Sequence, residues 1–254
     1  MTARGLILLV FVLALNFVAP ARAEQVVAGL SQTRVALTAT FDGSEILVFG
    51  AVRRDAPVDD DAAPMQVIVT IQGPSAPLTV WRKARRGGIW VNTDSVPIRQ
   101  APSFYAVATS APFDEAITPE EDARYRVSVP RAIRALGATL EETPLFTEAL
   151  IRIREEEGVY QLLEGGVEIE QDTLFRTTIS LPSSLTEGSY ETRIFLMRGG
   201  AVIDRYETEI EVRKVGLERA LYQLAHRQPV LYGLLAVLIA VASGWAASVV
   251  FRRA

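Results

Sequence analysis

The stretch YETRIFLMRGGAVIDRYETEIEVR, residues 190–213, decides the fold class. In its second half Tyr206, Thr208, Ile210 and Val212 fall on one side, and Arg205, Glu207, Glu209, Glu211 and Arg213 on the other. Successive side chains of a strand point to opposite faces, so this is an antiparallel strand with one buried and one wet face. Residues 190–197 are more apolar, and Arg198-Gly199-Gly200 supplies the residues a tight reversal needs. The spacing predicts a β-hairpin.

The same signature recurs upstream. Residues 78–81 and 89–91 flank Arg85-Arg86-Gly87-Gly88, a second predicted hairpin. Val35, Leu37, Ala39 and Phe41 alternate with Arg34, Thr38 and Thr40, and Asp42-Gly43-Ser44 marks a turn. Residues 46–52 are almost wholly apolar, as a central strand is. Met65, Val67, Val69 and Ile71 alternate again, residues 104–109 make another strand, and Thr177, Ile179 and Leu181 mark one more. Between the β regions, Thr118-Pro119-Glu120-Glu121 reads as a helix start. Thr143-Pro144 opens a clearer helix with Leu145, Phe146, Ala149, Leu150 and Ile153 as its core stripe. The expected architecture is mainly β. Two Ig-like β-sandwich units, 24–111 and a smaller one at 166–214, are joined by a helical connector at 112–165.

Both ends are apolar for other reasons. Arg4, an apolar run over residues 5–18 and the small-x-small box Ala21-Arg22-Ala23 read as a cleaved signal peptide, 1–23, with the mature chain starting at Glu24. Residues 230–251 contain no charged side chain, and a helix of that length spans roughly 33 Å, enough for a hydrocarbon core of ~30 Å. Arg252-Arg253 follow the span, so the positive-inside tendency sets the C-terminal tail, 252–254, in the cytoplasm and the body in the periplasm of a bacterial inner membrane. Residues 215–229, with Leu217, Leu221, Leu224 and Ala225 on one face, read either as an amphipathic helix on the membrane surface or as a rigid linker. Within the span Ala242, Ser243, Gly244, Ala246, Ala247 and Ser248 are small. They suit close packing against a polytopic partner or a second copy, in addition to lipid contact.

Composition excludes several chemistries. The whole chain carries 26 basic and 30 acidic residues, and loss of Arg4 and Arg22 with the signal leaves a mature net charge near −6. That balance argues against nucleic-acid binding, although four basic residues would suffice for a local anion site. Without cysteine and with His226 as the only histidine, thiol catalysis, a Ser-His-Asp triad in the body and multi-histidine metal sites are ruled out. Asp59-Asp60-Asp61 reads as a solvated loop, because calcium ligands are spaced to converge. Glu120/Asp122 form a carboxylate pair that the sequence gives no reason to place in a cleft. No cofactor, metal site or catalytic constellation is expected. The remaining candidate is Arg82, Lys83, Arg85 and Arg86, lying between Trp81 and Trp90, as an anion-binding or lipid-headgroup cluster. Arg131 and Arg134, on a predicted short helix, are further candidate anion contacts, and nothing in the sequence joins the two groups.

Seven segments carry a resemblance: residues 27–31 (VAGLS), 41–46 (FDGSEI), 88–93 (GIWVNT), 102–105 (PSFY), 146–150 (FTEAL), 188–192 (GSYET) and 215–219 (VGLER). Together the chain resembles the uncharacterised putative transmembrane protein family of alphaproteobacteria over nearly its whole mature length. The resemblance implies no activity and no catalytic residues. It implies an accessory subunit of a transporter, with a permease of the TauE/SafE type as partner.

Overall fold

The computed structural model describes residues 24–38, 41–55, 61–135, 143–215, 222 and 224–251. Its strands fall into three sheets. The first runs in the order β1 (Glu24–Leu30), β3 (Ser44–Arg54), β11 (Leu174–Leu181) and β10 (Glu168–Glu170), all antiparallel. The second runs β2 (Arg34–Leu37), β13 (Ala201–Lys214), β12 (Gly188–Arg198), β4 (Met65–Gln72), β7 (Tyr105–Thr109) and β9 (Tyr160–Leu163). Its two outer pairings, β2 with β13 and β7 with β9, are parallel. The third holds β5 (Ser75–Arg86), β6 (Ile89–Pro102) and the short β8 (Arg134–Ala135).

The mainly β expectation holds, and both predicted hairpins form, β5–β6 and β12–β13. The expected division into two β-sandwich units is corrected. Strands from before and after the connector share sheets, with β11 beside β3 and β12 beside β4. The reason is visible in the apolar runs. A strand such as β3 needs a hydrogen-bonded neighbour on each edge, and β1 fills only one of them. The second neighbour comes from more than a hundred residues later.

The first sheet packs one face inward, with Val26, Ile46, Val48, Phe175 and Ile179 buried. They meet the side of the second sheet that carries Val67, Val69, Ile71, Ile194 and Leu196, where β1 approaches β12 and β13. The other side of that sheet, with Ile68, Val107 and Phe195, is buried too. It lies beneath α1 (Phe113–Ala116), α2 (Pro119–Tyr125), α3 (Val129–Ala132) and α4 (Thr143–Glu156), and the Tyr125 ring sits 5.6 Å from that of Phe195. Cover on both faces explains why β4, β7 and β12 lack strict alternation. In α4, Phe146 and Leu150 are buried as expected, whereas Leu145 and Ile153 are exposed. Ile151 takes their place against the core, so the stripe is narrower than the sequence suggests.

One buried ion-pair cluster ties the sheets together. Glu24 accepts from Arg54 Nε at 2.9 Å and from Arg198 Nη2 at 2.8 and 3.0 Å. Burial pushes the Glu24 carboxyl up, but hydrogen bonds and charge from Arg54 and Arg198 outweigh it and hold the group below the usual range.

The C-terminal helix α5 (Pro229–Phe251) begins with proline, which costs nothing in a first turn. An 18-residue window within Pro229–Ser248 has a mean hydropathy of 2.1, and the rest of the described chain buries none of it. Length and apolarity are those of a membrane span. The expected signal peptide, Asp59-Asp60 and Arg252-Arg253 lie outside the described residues. So does most of the expected juxtamembrane helix, of which Tyr222 and residues 224–227 are helical.

Candidate functional site

The β5–β6 hairpin reverses at Gly87 and Gly88, with φ of +59° and +87°. Two positive φ values in a row suit the twist of a two-residue hairpin and favour glycine. Trp81, Lys83 and Arg85 alternate along β5, and Trp90 pairs directly across from Arg85, so these four share one face. The indoles of Trp81 and Trp90 are 54% and 69% exposed. Trp245 in α5 is 70% exposed, so each of the chain's three tryptophans is uncovered.

The predicted basic cluster is divided by strand alternation, Arg82 and Arg86 falling on the face opposite Lys83 and Arg85, with a register irregularity at Arg82/Lys83. Arg82 turns to the other face and donates from Nε and Nη2 to Asp94 Oδ2 at 2.9 and 2.7 Å. Its guanidinium also lies 6.0 Å from the Phe146 ring centre. The Arg82 hydrogen bonds, with help from Thr93, hold the Asp94 carboxyl below its ordinary range. Arg82 is therefore already neutralised. Lys83, Arg85 and Arg86 make no hydrogen bond or ion pair with a described residue.

A second basic group assembles at the root of the same hairpin. The helix α2 starts on Thr118, whose hydroxyl accepts from Glu121 N at 3.4 Å, with Pro119 in the first turn. It ends at Arg126, which adopts a left-handed backbone with φ +53° and donates its N–H to Asp122 O. Asp122, buried, fixes the chain beyond. Its Oδ1 accepts from Val127 N and Ser128 N, and its Oδ2 from Ser128 Oγ and Arg131 Nε. Both Asp122 and Arg131 are thus engaged in holding the backbone. Arg134 lies in β8, across from Gln100, and not on the helix expected for it.

The outcome is a concavity of about 350 Å³ lined by Arg124, Arg126, Arg134 and Arg193 with, among the described residues, a single carboxylate, Glu191. Arg193 rises from β12 and donates Nη1 to Tyr125 O at 2.9 Å and Nη2 to the Tyr105 hydroxyl at 3.2 Å. Its Nε is buried with no hydrogen-bond partner. Burial pushes the Tyr105 hydroxyl up to about 12, against the opposing charge of Arg193. It stays neutral and donates to Val127 O at 2.8 Å. The structure thus gathers Arg134 with three arginines that sequence reasoning missed, and separates it from the Arg82–Arg86 group. The one available signal was Arg193, a charge interrupting an apolar run.

The small residues Ala242, Ser243, Gly244, Ala246, Ala247 and Ser248 lie on α5, exposed throughout. Among the described residues no group of three or more His, Cys, Asp or Glu side chains is arranged to hold a metal ion.

The model of the family described as "Putative transmembrane protein (Alph_Pro_TM)" matches residues 25–253, and the chain belongs to that family. No curated protein matches the sequence. Among solved structures, the crystal structure of Spo0M, a sporulation control protein from Bacillus subtilis, is similar at 10% identity and a TM-score of 0.32. The match covers 80% of this chain and 54% of that one, so this chain spans about half the length of Spo0M.

Proposed function

We propose that this member of the transmembrane family is a single-pass, non-enzymatic interaction subunit that docks on a polytopic membrane protein. Its β-rich body stands on the periplasmic side of a bacterial inner membrane, and its C-terminus lies in the cytoplasm. The observation that carries this reading is the exposure of Trp81 and Trp90 on one face of a hairpin, outside the membrane-spanning helix. Tryptophan hides the largest apolar surface of any side chain and is enriched at interface hot spots and at membrane boundaries. Two exposed indoles on one face of a hairpin mark a surface meant to be covered.

Charge and tethering narrow the occupant. Lys83 and Arg85 make no ion pair among the described residues and complement acidic loops on the outer face of a membrane protein. The anchor confines the hairpin near such proteins and raises its effective concentration against them. The small residues of α5 permit close helix–helix approach in the same complex. An anion permease of the TauE/SafE type is the partner that the family resemblance favours.

A photo-crosslinking residue placed at Trp90, and in a separate variant at Ala246, tests this in intact cells. Both positions are expected to join the same polytopic protein. Adducts to a second copy of this chain at both sites would replace the reading with a homo-oligomer, and lipid adducts alone would replace it with a membrane-lying hairpin.

A further inference from the structure

We propose that the concavity at the root of the β5–β6 hairpin is a binding site for a small organic anion carrying two or more carboxylate or phosphate charges. Among the described residues, four guanidinium groups, those of Arg124, Arg126, Arg134 and Arg193, line it with one carboxylate, Glu191. Of the four, Arg124 alone has an acidic ion-pair partner among the described residues, Glu121 at 3.6 Å. Like charges gathered in one concavity repel one another, and a bound anion relieves that repulsion. Guanidinium forks match carboxylate and phosphate oxygens two at a time, which makes arginine the residue suited to this ligand class.

Two independent features show that the arrangement is held at some expense. Arg193 has its charged head anchored to two carbonyls, of Tyr125 and Arg126, and a phenol, none of which neutralises it, and its Nε is buried unpartnered. A buried donor left without a partner is uncommon and calls for an explanation. Arg126 occupies a left-handed backbone conformation that a non-glycine side chain adopts at a cost. Asp122 enforces that turn from behind by binding the next two N–H groups. The fold accepts both costs at one place, and that place is concave and basic. Its size, about 350 Å³, exceeds what a bare inorganic oxyanion fills and suits a compact organic polyanion. Gln72 and Gln100 add neutral amide donors at the rim for the ligand's remaining oxygens.

This site is separate from the hairpin tip, and its test is independent of any membrane partner. The detergent-solubilised full chain is titrated with citrate and with inorganic phosphate, against sodium chloride at matched ionic strength. Saturable heat and a rise in melting temperature are expected with citrate, more weakly with phosphate, and not with chloride. Arg126→Asn removes the charge with a residue that tolerates the left-handed backbone, and Arg134→Gln changes an exposed side chain. Each is expected to weaken citrate binding about tenfold or more, as loss of a charge-assisted contact does, with the unliganded melting temperature unchanged or higher. Lys83→Ala with Arg85→Ala should bind as the wild type does. Absence of saturable binding to either anion, equal binding by the Arg126 and Arg134 variants, or loss of binding in the hairpin-tip variant would each overturn the assignment.

Discussion

The two hairpins share a turn and differ in almost everything else. Both reverse on an Arg-Gly-Gly sequence, and the glycine pairs have matching geometry, φ +59° and +87° at Gly87-Gly88 and +59° and +77° at Gly199-Gly200. Their strands are of similar length, 12 and 14 residues for β5–β6 and 11 and 14 for β12–β13. Yet β12–β13 lies inside the six-stranded sheet with residues 194–197 buried, whereas residues 81–90 of β5–β6 include no buried side chain. Turn chemistry fixes where a chain reverses, and the side-chain pattern fixes where the ribbon goes. Arg198 spans from the inner hairpin to Glu24 and to Ala63 O, while its counterpart Arg86 has no such partner.

The largest expected effect follows from that contrast in burial. Phe195→Ala in the inner hairpin should cost about 3–5 kcal/mol, through lost burial and the cavity left behind. Trp90→Ala in the outer one, a larger truncation, should stay within about 0.5 kcal/mol. Urea unfolding of the detergent-solubilised chain measures both. Comparable losses at the two positions would mean that the outer hairpin is packed after all.

Next comes the arginine before each glycine pair. Arg198→Ala leaves Glu24 with one partner in a buried setting and should cost roughly 2–4 kcal/mol, whereas Arg86→Ala should cost almost nothing. The pH dependence has a definite sign. The folded Glu24 carboxyl lies below its ordinary value of 4.5, so its stabilising contribution is complete above that pH and is lost as pH falls through the folded value. Wild type should therefore lose more stability below pH 4.5 than Glu24→Gln does. Parallel acid titrations of the two proteins, followed by circular dichroism, would show whether the curves converge.

A smaller difference is expected at the turns. A Cβ on Gly200 would meet Thr118 Cγ2 at 2.8 Å, whereas one on Gly88 would meet nothing within 4 Å. Both alanine variants carry the backbone cost of a positive φ, about 1 kcal/mol or more. Gly200→Ala should lose about 1–2 kcal/mol beyond Gly88→Ala, from overpacking against the start of α2. Equal melting temperatures would show that Thr118 yields freely.

These contrasts also mark what the sequence makes legible. Period-two alternation and Gly-Gly turns give both hairpins, and the proline-led, charge-free run gives α5, because such signals are local. Sheet membership is not local. Nothing in residues 46–52 says that their second neighbour is β11, and the assumption that nearby strands pair produced two sandwiches where there is one interleaved body. The arginine-lined concavity is illegible in the sequence for the same reason. Arg82–Arg86 are adjacent in sequence but alternate between the two faces of a strand, while Arg124 and Arg126, Arg134, and Arg193 come together from three places along the chain.

The smallest change in stability belongs to the outer tryptophans, and it is the most informative about purpose. If the hairpin exists to be covered, its indoles should report the covering and be indifferent to folding. Trp245→Phe leaves Trp81 and Trp90 as the only tryptophans. Their emission should already be that of solvated indole in the folded protein and should hardly move through the urea transition, while circular dichroism records the loss of the β body. On return to native membranes the same emission should shift to the blue, because an acceptor surface then replaces water around both rings. Lys83→Glu with Arg85→Glu should suppress that shift by reversing the charge beside the rings on the same face, with folding untouched. A blue emission in detergent that collapses with unfolding would place the two rings in a packed core and remove the difference between the hairpins.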